Sequence, residues 1–282
     1  MAVCKKHAEM SHLQIPVSAA FVSPKKKFNM EWLEMVLSSI KKRYGSIPFA
    51  LSYIVIVVAV AHLAGLALPG KWFLPGLNAL LFFLLFLVPV ARGEYSYAVK
   101  LALFWAVVTT IVQIFLSAGW PGLMEEKVLR GMVYREEMFH WVRTGEGPEG
   151  DISLFLPIHL RHFLIFCAVS LATGGLMGLA MGAVMLGYMN FYVGCLIAAS
   201  GGSWITIVFS WPLWSIVRVV GYIIAGTALG AVLLHRWGEK DEKKRKILRF
   251  MIFAVALILL DIILKWLLAG TYQGLLNSAL AG

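Results

Sequence analysis

Of the chain's 282 residues 60% are hydrophobic and only 14% carry charge, and the mean hydropathy is +0.80, which excludes a soluble globular domain. The formal net charge of +10 does not signal nucleic acid, because the basic residues crowd beside apolar runs, where they set orientation and meet anionic lipid headgroups. Three cysteines are too few for a disulfide framework, and Cys4, Cys167 and Cys195 read as free thiols.

Residues 1–47 form a basic tail. No short apolar core or small-residue cleavage site follows its start, so the first span is expected to serve as the insertion signal. Within it, 28–43 places Trp32, Leu33, Val36, Leu37 and Ile40 on one face and ends in Lys41-Lys42-Arg43. That pattern suits a helix lying in the cytoplasmic interface. Residues 48–119 hold three apolar runs, 48–68, 72–92 and 97–119, each near the roughly 20 residues a spanning helix needs. Residues 120–162 turn charged and read as an exterior loop. Inside that loop, 122–143 follows Pro121, carries Met124, Val128, Met132 and Phe139 on one side and stops at Gly145, the pattern of a second interfacial amphipathic helix.

From Phe163 to Leu234 a single charged side chain occurs, Arg218. This glycine-rich stretch has room for three spans, 163–187, 190–211 and 213–234, with breaks expected near Gly187–Asn190 and at Pro212. Residues 235–248 form a basic loop, and 249–282 holds a last span over 249–269 and a short exterior tail. The expected fold is thus an all-α transmembrane bundle of about seven spans with two interfacial helices.

Charge orients it. The tail before the first span carries eight basic residues against three acids, and 235–249 carries seven against three, so both are expected in the cytoplasm. Segment 120–162, with five basic residues against seven acids, then lies outside, and an odd span count leaves the N-terminus in and the C-terminus out. This is the pattern expected of a prokaryotic inner-membrane protein, with lipids as its first partner.

Candidate residues fall in four groups. Gly174, Gly178 and Gly182 at four-residue spacing, with Gly226 and Gly230 further on, would let helices approach closely, within the chain or in a homo-oligomer. Met177, Met181, Met185 and Met189 form a parallel row that reads as gap-filling. Arg218, Asp261 and Lys265 are ionisable residues inside apolar runs at a shared depth; Asp261 can pair with Lys265 one turn away or with Arg218 across an interface. Glu137 and His140, one turn apart, with His159 and His162 at the same spacing, could hold zinc or iron on one side of the membrane, although no cofactor is expected.

Glu125, Glu126 and Arg130 spell EExxxR, followed by Gly131, and Phe155 to His159 spells FxxxH. These segments resemble the first two motifs of the CAAX prenyl protease and bacteriocin-immunity family; its third motif has no counterpart here. The resemblance implies a water activated by glutamate and histidine for peptide hydrolysis, hence the alternative of an intramembrane protease or metal-dependent hydrolase. Over about 110 residues from His159, the order of features resembles the stage II sporulation protein M family: the glycine-rich stretch Gly187 to Gly194, the helix ending in Ile224 to Gly230, and a final span bearing Asp261. That resemblance implies a membrane partner or scaffold of an envelope-remodelling or transport complex. The leading expectation is a non-enzymatic, transport-type or complex-organising subunit with membrane-protein partners.

Overall fold

A computed structural model describes residues 47–234 and 241–281, and every regular element among the described residues is a helix. Seven helical segments are long and apolar enough to cross a bilayer. The protein is an all-α, polytopic membrane bundle. The helix expected over 28–43 lies outside the described residues.

The first three spans are α1 (Ile47–Ala67), α2 (Phe73–Arg92) and α3 (Tyr95–Gly119). The α1 and α2 backbones touch, since a side chain at Gly65 would meet the Leu74 Cα at 2.7 Å. α2 stops at Gly93, left-handed at φ 76°, where the amides of Gly93 and Glu94 return to the carbonyls of Val90 and Pro89. Between α2 and α3, Phe82 stacks on Trp105 with ring centroids 4.9 Å apart, and Trp105 Nε1 donates to Asn78 Oδ1 at 2.8 Å. A buried amide is affordable there because its partner is built in.

Residues 122–143 are two helices rather than one, α4 (Pro121–Lys127) and α5 (Gly131–Thr144). The break is Arg130, in the left-handed region at φ 60°. It lets Gly131 seat where a Cβ would lie 2.9 Å from Phe191 and from Val128. Amphipathic periodicity cannot register such a bend, because both pieces bury the same kind of residue.

The next crossings are α6 (Ile152–Ala172), α7 (Leu176–Ala199) and the pair α8 (Trp204–Phe209) and α9 (Leu213–Leu234). Their boundaries differ from those expected. The fourth span starts at Ile152 rather than 163, capped by Asp151, whose carboxylate accepts from the amide and hydroxyl of Ser153 at 2.8 and 2.7 Å. Those bonds hold the Asp151 carboxyl below the usual aspartate range. It ends at Gly174 and Gly175, both at positive φ, so Gly174 belongs to a turn and not to a helical stripe with Gly178 and Gly182. Gly187–Asn190, in contrast, lies inside α7: Asn190 Nδ2 donates to Gln113 Oε1 of α3 at 2.8 Å, so the polar residue is a helix-to-helix tie. Pro212 does interrupt the helix, but inside the one crossing made by α8 and α9 rather than between two; the crossings part at 200–203, not at Pro212 as expected.

The last helix, α10 (Asp241–Ala281), replaces the short tail expected after 269. At 41 residues it is about 60 Å long, roughly twice the hydrocarbon thickness. Its final turns leave the membrane and pack Leu276 with Met138, Trp141 and Val142 of α5, and Gln273 Nε2 donates to the Val142 carbonyl at 2.8 Å. The outward faces of the bundle expose Ile56, Leu63, Leu84, Ile111, Leu164, Ile252 and Leu267, an apolar surface that hydrocarbon, not water, solvates.

Candidate functional site

At the end of the bundle that carries α4, α5 and the 145–151 loop, the long helices part around a cavity of about 160 Å³. Each wall comes from a different element. α5 and its start contribute Arg130, Tyr134 and Glu137, the loop Glu149, α6 Phe155, His159, Arg161 and His162, α7 Met185, Tyr188 and Met189, α9 Arg218 and Tyr222, and α10 Lys265.

Two buried ion pairs hold these walls together. Arg218 Nε and Nη2 donate to Asp261 Oδ2 and Oδ1 at 2.9 and 3.0 Å, a bidentate clasp between α9 and α10. α9 can come this close because Gly221 lies one turn below, where a Cβ would meet Ile258 at 3.0 Å. Lys265, the other cation, is 0% exposed and does not share Asp261 as its main partner; its Nζ stands 2.9 Å from Glu149 Oε2. It also lies 4.4 Å from the centroid of the Phe155 ring. Glu149 thereby ties the 145–151 loop to the long helices. Charges cost several kcal/mol to bring out of water, so each must be matched in place, and here each is.

His159 donates through Nδ1 to the Phe155 carbonyl at 2.9 Å, which leaves its buried Nε2 as an acceptor that meets no protein partner. That nitrogen leaves hydrogen-bonding capacity on the cavity wall. His162 and Glu137 line the same space, whereas His140 is exposed and turns to Glu146 at 3.9 Å. Among the described residues no group of three or more His, Cys, Asp or Glu side chains is arranged to hold a metal ion. Glu125 is committed to Arg135 at 2.9 Å rather than to Arg130, Glu126 is exposed, and neither lines the cavity with His159.

A second, apolar cavity of about 60 Å³ lies between α3, α7 and α9, lined by Trp105, Phe166, Leu186 and Ile223 with Gly178, Gly182 and Gly226. The candidate glycines divide by what they face. A Cβ at Gly230 would lie 2.8 Å from the Gly174 carbonyl, so the α6–α7 turn rests on α9, and Gly226 packs on Phe166 at 3.1 Å. Gly178 is tight against Ser170, while Gly182 has no atom within 4 Å of where its Cβ would be.

Glu149, Tyr134, Tyr188 and Tyr222 complete the site without any signal in the sequence. An acid in an acidic loop and tyrosines among apolar residues carry no spacing that marks them. No family model matches this chain, and no curated protein or solved structure does either.

Proposed function

We propose that this protein is a non-enzymatic, transport-type membrane protein that takes its ligand into the charged cavity around Arg218, Lys265 and His159. The reading rests on one observation: a roomy polar space sunk among spanning helices, with buried cations and carboxylates from α9, α10 and the 145–151 loop on its walls. A purely organising subunit has no use for such a space, and ionisable groups within a bundle mark ligand pathways. The basic flanks support placing the N-terminus in the cytoplasm, the C-terminus outside and the cavity at the exterior end, in the inner membrane of a prokaryotic cell. Membrane-protein partners, as in an envelope or transport complex, are compatible with the wide apolar outer surface.

Transport requires access from both sides. In a background lacking Cys4, Cys167 and Cys195, Tyr188→Cys, on the wall of the polar cavity, is expected to react with a membrane-impermeant thiol reagent applied to intact cells and, separately, to inside-out vesicles. Reaction from neither side, or from one side alone, overturns the transport reading.

A further inference from the structure

The polar and apolar cavities are neighbours: Met185, Met189, Arg218 and Tyr222 line both. Arg218 therefore stands at a boundary, with a hydrogen-bonding chamber on one side and a dry one on the other. Resting on the reading above, we infer that the two chambers together bind one amphiphile, its anionic headgroup in the polar chamber and the first few carbons of its hydrocarbon chain in the apolar one.

Charge selects the headgroup. Arg130, Arg161, Arg218 and Lys265 line the polar chamber against the carboxylates of Glu137 and Glu149. Arg218 and Lys265 are already paired, with Asp261 and Glu149. Arg130 and Arg161 remain, both exposed, and face the space with only Glu137 to offset them. A phosphate or carboxylate fits that surplus of planar, bidentate donors. A cationic or neutral headgroup would leave the surplus unmet.

Packing selects the tail. Protein interiors fill their space to crystal-like density, yet Gly182 faces a gap that any larger side chain would fill. The methionine pair at its upper end, Met185 and Met189, supplies flexible thioether walls that adjust to a chain. Gly182 lies about 10 Å below Met189 along α7. The order of the chambers thus matches the order of headgroup and chain in a bilayer leaflet.

The test uses the purified full-length protein in mild detergent, with four probes read by native mass spectrometry and thermal unfolding: oleoyl lysophosphatidic acid, oleate, monoolein and inorganic phosphate. One or both anionic amphiphiles should give a one-to-one adduct and raise the unfolding midpoint, while monoolein and phosphate do neither; which amphiphile binds names the headgroup. R130A/R161A should weaken binding at least tenfold, and G182L, which fills the apolar chamber, should abolish the adduct. Phosphate binding as well as the amphiphiles reduces the site to an anion pocket and overturns the inference, as does equal binding of monoolein. No binding, or binding unchanged in both variants, overturns it as well. Two-sided access at Tyr188→Cys is read without ligand, so the transport reading stands or falls apart from this one.

Discussion

Asp261 shows how much one buried carboxylate carries. It is 1% exposed and meets Arg218 through two hydrogen bonds, so truncating it leaves a guanidinium without its counter-charge inside the bundle. D261A should lower stability by about 3–5 kcal/mol, read as a drop in the thermal unfolding midpoint in detergent. The double variant R218M/D261L, which replaces both charges by apolar volume, should recover most of that loss. Equal stability of D261A and the parent would mean that the clasp holds nothing. Arg218, Asp261 and Lys265 were legible in the sequence because a charge among apolar residues has no other way to be tolerated. Which of the two cations Asp261 takes was not, because Lys265 lies one helical turn away while Arg218 lies at the same depth on another span. The partner of Lys265 is Glu149, over a hundred positions away.

Helices in lipid associate by close approach, and the glycines here are not equivalent in that role. Gly230 touches the Gly174 backbone and Gly182 touches nothing. The same substitution should therefore have different outcomes: G230A lowers the unfolding midpoint, because the backbone of the α6–α7 turn must move, while G182A leaves it unchanged or slightly higher, as alanine favours the helix. Matching effects at both positions would contradict the packing around α9. Sequence spacing treats all five glycines alike, which is why Gly174 reads as part of a stripe when it forms the turn. A similar limit applies to the 145–151 loop. E149A should release it from α10, detected as faster proteolysis between Thr144 and Asp151 with the bundle intact; unchanged cleavage would remove the Glu149–Lys265 tie as its anchor.

For the whole molecule, sidedness is the property on which the proposed access route depends. A cysteine at Gly147, in the same cysteine-free background, should be labelled by an impermeant reagent in intact cells if the basic flanks at 1–47 and 235–249 face the cytoplasm. Protection in intact cells with labelling only in inside-out vesicles would invert the protein and move the cavity to the cytoplasmic face. The bundle as a whole also joins the spanning helices and the 120–151 segment in one unit. α10 runs past the bilayer to pack on α5, so the loop region is not a separate appendage.

By itself the sequence determined that the chain is a helical membrane protein and where its costly charges lie. Both follow from composition over stretches of about 20 residues, the length scale of the bilayer. The tertiary structure alone decided which glycines turn and which pack, which acid answers Lys265, and that a polar and an apolar chamber meet at Arg218. These depend on contacts between residues far apart in the chain, and no periodicity along a single helix encodes what stands on the far side of its neighbour.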